Sequence, residues 1–300
     1  MDFMERKEWT LRSDDAGRRL DRVLRRLLKE NSQGAIEGAL RKGLVRLNGK
    51  KASASCLTRE GDVLSAAAFL LPEADEANCG SAPLPYGIIF KNQNLIFIDK
   101  PAGIAAHGPG SVAEFFAGQK TDSLSFVSAP LHRLDKGTSG LLAVSNSLEG
   151  ARWFCQKLKD HEIKKFYWGI ALGRLEREEL WEDKLENSFG GEGFETSRVA
   201  EGGGQKALMA KTIATPIKRG LFCGKEISLV QYQIFTGRKR QIRAQSAFHG
   251  FPLLGDKAYG AGDGKYYLRS MRMEFPDNNL GIPSVIEAPE AQDFLAFFKD

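Results

Sequence analysis

The chain has 300 residues, 42% of them apolar and 27% charged, which suits one large domain with a smaller one beside it. No apolar run approaches the ~18 residues of a membrane span, the first residues hold no apolar signal segment, and Cys56, Cys79, Cys155 and Cys223 form no C-x-x-C pair. A membrane protein, a secreted disulfide framework and a cysteine-ligated metal site are therefore disfavoured, and a cytoplasmic protein with reduced thiols is expected. The formal net charge of +5 lies wholly in residues 1–65, which hold 15 Lys and Arg against 10 Asp and Glu, as a small basic module facing a polyanion would.

Residues 10–17 are polar, contain a glycine and read as a lead-in. Leu20, Val23, Leu24, Leu27 and Leu28 then recur at helical spacing. Arg18, Arg19, Arg22, Arg25, Arg26 and Lys29 accompany them, with Asp21 the one acid in the group. A solvated helix face and a phosphate-facing helix both fit this pattern. Asn31-Ser32 is a cap for a second helix carrying Ile36 and Leu40, and Gly43 is its stop. Arg41, Lys42 and Arg46 extend the basic character. Leu44–Leu47 alternates as a strand, Asn48-Gly49 signals a hairpin turn, and Gly61-Asp62-Val63-Leu64 closes the module. Two helices, then V-R-L-N-G-K and a later G-D-x-L, resemble the S4 RNA-binding domain over roughly residues 17–66.

Residues 72–85 contain three prolines among small and acidic residues, a linker composition that would tether residues 1–71 to a second domain at 86–300. That domain opens with Gly87–Phe90 and Leu95–Asp99 as paired strands, then Lys100-Pro101-Ala102-Gly103 and His107, a loop histidine that is either solvated or a phosphate ligand. The central stretch is Leu131-His132-Arg133-Leu134-Asp135-Lys136-Gly137-Thr138-Ser139-Gly140-Leu141-Leu142. A carboxylate precedes a glycine-rich turn, and Leu141–Val144 follows as a buried strand. By itself the spacing favours Asp135 as an Asx-turn residue that hydrogen-bonds the backbone two residues on. Residues 151–158 read as a helix entered through Asn146-Ser147, and Lys164–Gly173 and Ile227–Ile234 alternate as strands. Residues 188–206 are rich in glycine and fit a hairpin or loop. Thr236-Gly237-Arg238-Lys239-Arg240-Gln241-Ile242-Arg243 and Gly255-Asp256-Lys257-Ala258-Tyr259-Gly260 complete the conspicuous strings, ahead of a terminal strand through Leu268–Phe275.

His-Arg-Leu-Asp-x-x-Thr-Ser-Gly-Leu-Leu resembles the signature of the RluA family of RNA pseudouridine synthases. Lys-Pro-x-Gly, Lys-x-Tyr, Thr-Gly-Arg-x-x-Gln-Ile-Arg and Gly-Asp-x-x-Tyr-Gly match further family elements over about residues 86–300. Two family histidines are absent: Arg240 stands before Gln241, and Ala244-Gln245 follow Arg243. Arg269 likewise occupies a usual histidine position.

The resemblance implies an α+β fold: a small N-terminal S4 (αL-like) domain and a catalytic domain with a mixed, largely antiparallel sheet, helices at its flanks and the cleft across it. It implies isomerisation of uridine to pseudouridine, a reaction expected to need no cofactor and no metal. Asp135 would be the catalytic carboxylate, attacking C1′ or removing a proton at C2′. Arg243 would pair with it, and Tyr167 would pack on the uracil and help move the C5 proton. Arg133 would stack in the space left by the extruded nucleotide or hold a phosphate. His132, Arg238, Lys239, Arg240 and Gln241 would contact RNA, as would the basic residues of the first module. The expected partner is RNA, with large-subunit ribosomal RNA ahead of tRNA. A non-catalytic RNA-binding protein and a hydrolytic N-glycosidase are the competing readings, the latter told apart by release of free uracil. A serine hydrolase is disfavoured, because Ser139 lies in T-S-G and not in G-x-S-x-G.

Overall fold

A computed structural model describes residues 5–72, 85–119, 123–189, 195–200, 207–260, 262 and 264–298. The expected linker lies largely outside these residues, as do Cys79 and all six glycines between 188 and 206, so the hairpin or loop expected there lies outside the described residues. The chain divides into two compact units. The first holds the described residues up to 72, with Glu114–Ala129 and Ser147–Glu149; the second holds the remainder. Residues 114–129 and 147–149, which the sequence assigns to the second domain, thus cluster with the first.

In the first unit β1 (Arg6–Thr10) precedes α1 (Leu20–Leu27), α2 (Gln33–Lys42), β2 (Val45–Leu47) and β3 (Val63–Ala67). Leu20, Val23 and Leu24 are fully buried on one face of α1, with Ile36 and Leu40 of α2 against them. Ser32 caps α2 by accepting the Ala35 N–H at 3.3 Å, and Gly43 ends it in the left-handed region at φ +71°. Asn48 and Gly49 both have positive φ, as a type I′ turn requires. That turn closes a single Leu47–Lys50 bridge, because β2 takes β3 as its neighbour instead. Strand order is β1-β3-β2. The sequence gives no period-2 signal for β1, which forms on the edge offered by β3.

The expected lead-in is built into this unit. Asp15 is fully buried and accepts hydrogen bonds from the Ser123 and Ser125 hydroxyls, both at 2.6 Å, and from the Ser125 N–H at 2.9 Å. Arg18 donates to Ser125 O and Oγ, and Arg26 to Phe126 O.

The second unit is organised by one sheet of ten strands among the described residues. In chain order these are β4 (Gly87–Lys91), β5 (Leu95–Lys100), β6 (Ser139–Ser145), β7 (Lys164–Leu172), β8 (Glu179–Phe189), β9 (Glu195–Val199), β10 (Leu208–Phe222), β11 (Lys225–Ile234), β12 (Leu268–Glu274) and β13 (Val285–Glu287). Their order is β4-β5-β6-β12-β7-β11-β10-β8-β9, with β13 beside β12. Only β6 and β12 run parallel; the other pairs are antiparallel. The further helices among the described residues are α3 (Val112–Ala117), most of which belongs to the first unit, α4 (Leu148–Lys159), whose first two residues do, α5 (Gln241–Phe248) and α6 (Gln292–Leu295), and no described helix is long and apolar enough to cross a membrane. Leu141 and Ala143 of β6 pack with Phe97 and with Phe154 of α4. Leu142 and Val144, on the opposite face, are equally buried. Burial on both faces explains the uninterrupted apolar run.

Candidate active site

Asp135 lies on the loop that feeds the fully buried part of β6. Leu131 donates to Ala143 O, and the Thr138 N–H closes a turn on Asp135 O at 3.0 Å. Two glycines let the loop sit where it does. A Cβ on Gly137 would lie 2.8 Å from the Tyr266 ring, and one on Gly140, at φ +98°, would lie 2.2 Å from Ser270 O. Lys100 reaches the loop, its Nζ donating to Lys136 O at 3.5 Å. Its buried ammonium donates to Pro101 O and Ile104 O, while the Gly103 N–H takes Lys136 O. Burial pushes the Lys100 amine down to about 8, and the Asp135 charge opposes that shift. Lys100 was matched in the sequence only as part of a motif.

Arg243 comes from α5. Its Nη1 is 3.4 Å from Asp135 Oδ2, with the side chains 10% and 18% exposed. The stronger partner is Asp256: Nε and Nη2 donate to its two carboxylate oxygens at 2.7 and 2.8 Å, the forked geometry that best suits a guanidinium. Tyr266 lies over the guanidinium at 4.2 Å and meets the Thr138 hydroxyl at 3.2 Å. Burial opposes the charge on Arg243, but Asp256, Tyr266 and Asp135 together outweigh it and hold the group protonated. The sequence pairs Arg243 with Asp135 alone. In the structure Asp256 fixes the guanidinium, and Asp135 meets the Nη1 that remains.

Tyr167 is buried in β7, opposite Tyr232 of β11 and Ser270 of β12. Burial raises its phenol above the ordinary value, and the nearby Asp135 charge adds to the rise. The phenol therefore stays protonated at neutral pH.

Asp135, Tyr167 and Arg243 line one cavity of about 330 Å³. Its wall includes Arg133, Lys165, Arg238, Lys239 and Arg240, with Leu134, Leu158, Ile234, Ile242 and Leu268 as apolar surface. Asp135 is the one acid among the described residues of that wall. A second cavity of about 480 Å³ shares Arg133, Asp135, Lys239, Arg240 and Arg243, and adds His107 and Lys136.

The other expected RNA contacts divide. Arg133 is exposed beside Asp135. Arg238 Nε is held by Met209 O, and one Arg240 Nη is buried with no hydrogen-bond partner among the described residues. Gln241 is committed internally: its carbonyl accepts from the Thr236 hydroxyl and the Arg238 N–H, and its amide donates to Lys211 O and Thr212 Oγ1. It latches the start of α5 and has little left for a ligand. His132 accepts the Ala143 N–H through Nε2 and stacks on Phe154. Burial pushes it down to about 3, so it forms a neutral wall and not a phosphate clamp. In the first unit Arg19, Arg22, Arg25, Lys29, Arg41, Lys42 and Arg46 are exposed, with Arg19 paired to Asp21. Arg18 and Arg26 are spent on the 125–126 backbone and are structural.

The chain matches the family model described as RNA pseudouridylate synthase over residues 94–248, just over half its length, and the S4 domain model over residues 18–64. It is 28% identical over 260 residues to ribosomal large subunit pseudouridine synthase C of Vibrio parahaemolyticus, covering 82% of this chain and 78% of that protein. It is 30% identical to the protein of the same name from Rickettsia bellii, covering 81% and 82%. Identity to ribosomal large subunit pseudouridine synthase D of Pseudomonas aeruginosa is 25%, covering 81% and 74%. Among solved structures, human RNA pseudouridylate synthase domain containing 4 shares the fold, with a TM-score of 0.55 at 19% identity over 68% of this chain and 89% of that one. A basic S4 module, the matched synthase region and relatives aligned over about four fifths of the chain lead to one assignment: the chain belongs to the RNA pseudouridylate synthase family.

Proposed function

We propose that this chain converts specific uridines of large-subunit ribosomal RNA to pseudouridine in the cytoplasm, with Asp135 as the catalytic carboxylate. The observation that carries this reading is Asp135, the one acid among the described residues of a cavity of about 330 Å³ whose wall combines apolar side chains with Arg133, Lys165, Arg238, Lys239, Arg240 and Arg243. The names of the similar bacterial proteins support the choice of RNA.

The reaction breaks N1–C1′, turns the uracil and rejoins it through C5. Asp135 serves it by bonding to C1′ as N1 departs, or by taking the C2′ proton to give a glycal. Arg243, aimed by Asp256, pairs with the carboxylate and fixes its direction. Tyr167 offers a ring face to the uracil and a neutral hydroxyl as hydrogen-bond donor. Arg133 and the cations of the second cavity hold the neighbouring backbone while the nucleotide is out of its stack, a displacement that costs a few kcal/mol. The exposed basic residues of the first unit supply sequence-independent grip on the RNA.

Asp135→Asn should bind substrate RNA as tightly as the parent but release no tritium from RNA carrying 5-tritiated uridine. Release at the parental rate would refute the role of Asp135. Mapping pseudouridines in ribosomal RNA from cells with and without the gene tests the substrate: at least one large-subunit position should revert to uridine in the deletion.

A further inference from the structure

Lys165 is a buried cation that the mechanism above does not use. The residue is 8% exposed and lines the Asp135 cavity, and its ammonium makes no hydrogen bond or ion pair with another described residue. Leaving an ammonium in such a place is costly unless something arrives to meet it. A Cβ built on Gly237, which lines the same cavity, would lie 3.8 Å from Nζ, so the amine reaches the cavity wall. Lys165 stands two residues before Tyr167 on β7 and so projects from the same face, about 6–7 Å along the strand. Burial pushes it down to about 8, so it is mostly charged at neutral pH, and its charge is felt at His132.

What meets it follows from the reaction. A base anchored at Asp135 through its sugar and lying along Tyr167 would point its far edge toward Lys165. We propose that Lys165 is a catalytic residue whose ammonium hydrogen-bonds an exocyclic oxygen of the target uracil and stabilises the uracil anion formed when N1–C1′ breaks. The proposal rests on the pseudouridine synthase reading of this site.

The electron pair of N1–C1′ leaves with the base and spreads onto O2 and O4. The sugar is satisfied by the Asp135–C1′ bond or by loss of the C2′ proton. When C5–C1′ forms, the base supplies the pair; the Asp135–C1′ bond breaks with its electrons returning to the carboxylate, or Asp135 returns the proton to C2′; C5 then loses its proton and N1 gains one. Turning the ring so that C5 replaces N1 exchanges the positions of O2 and O4. A fixed ammonium therefore faces an oxygen both before and after the turn. In a site of low dielectric such a contact acts most strongly where charge develops. A phosphate is the weaker candidate for this amine. Arg133, Lys239 and Arg240 border both cavities, whereas Lys165 stands beside Tyr167, Ile234 and Leu268.

The test uses the full chain, RNA containing a uridine that the parent converts, and the variants Lys165→Met and Lys165→Arg. Single-turnover conversion should fall at least a hundredfold in Lys165→Met, with the RNA Kd unchanged within twofold and the melting temperature not lowered. Lys165→Arg should stay within tenfold of the parent. Fluorine at C5 stabilises the uracil anion, so with 5-fluorouridine at the target the Lys165→Met loss in nucleoside consumption should shrink at least tenfold. Loss within threefold, equal loss on both bases, or a tenfold weaker Kd with an altered salt slope would each overturn the role. Should Lys165→Met fail to fold, Lys165→Gln takes its place under the same criteria. A parent that converts no uridine in any RNA offered would overturn the functional reading itself, and this inference with it.

Discussion

Asp256→Asn isolates the group that aims Arg243. The two carboxylate oxygens of Asp256 take Nε and Nη2 at 2.7 and 2.8 Å, and the Asp256 side chain is 1% exposed. An asparagine of the same shape keeps one acceptor and turns an N–H toward the other guanidinium N–H, so one bond of the fork becomes a donor–donor contact. Breaking a buried pair costs about 3–5 kcal/mol. With one bond retained the lower end applies, about 3 kcal/mol. At roughly 2–4 °C per kcal/mol for a chain of this size, the melting temperature should fall by about 6–12 °C. The guanidinium is also freed to move relative to Asp135, and a misplacement of about 1 Å costs on the order of a hundredfold in rate. Asp135→Asn supplies the contrast. It leaves the Asp256 fork intact and removes only the 3.4 Å contact, so it should abolish turnover while moving the melting temperature by only a few degrees. Thermal melts followed by circular dichroism, with single-turnover tritium release in the same buffer, read both effects. If Asp256→Asn melts with the parent while Asp135→Asn is the more destabilised, Arg243 is anchored by Asp135 and the geometry is misassigned.

Three further outcomes follow from other parts of the chain. Burial pushes the Asp15 carboxyl up, but hydrogen bonds from Ser123, Ser125, Arg12 and Leu124 outweigh it and hold the group below its ordinary 3.8. Its contribution to stability is then complete above about pH 4 and is lost as pH falls through the lower folded value. The stability gap between the parent and Asp15→Asn should close on acidification in denaturant titrations, and a gap that widens would contradict the linkage. Gly140→Ala forces a Cβ to within 2.2 Å of Ser270 O at a positive φ and should cost at least about 2 kcal/mol through backbone strain and separation of β6 from β12; a parental melting curve would show that the strands yield. Replacing Arg22, Arg25 and Lys29 together by Gln should flatten the slope of log K against log salt by about 2–3, at roughly 0.7–0.9 per lost phosphate contact. An unchanged slope in anisotropy titrations would place the RNA elsewhere.

Local chemistry wrote much of this protein in a form that can be read directly. Ser32 and Gly43 mark the ends of α2 because a hydroxyl cap and a left-handed stop act within one helical turn. Leu141–Val144 reads as a buried strand because both its faces are covered. The contiguous string around Asp135 locates the cavity because its glycines and its carboxylate are needed within a few residues of each other.

The fold alone decided the rest. Asp256 takes the larger share of Arg243; Gln241 is spent on Thr236, Lys211 and Thr212; Arg18 and Arg26 hold the 125–126 backbone; the Lys165 ammonium is left without a partner among the described residues at a cavity wall. In each case the residue type was visible and its commitment was not. A side chain's partners are fixed by which strands and loops come together, and for Arg18 and Ser125 those lie 107 positions apart. Hydrophobic period and turn chemistry report on the few residues nearest in sequence. Whether a buried charge is satisfied or waiting for a ligand depends on atoms brought in from elsewhere in the chain, and only the assembled core supplies them.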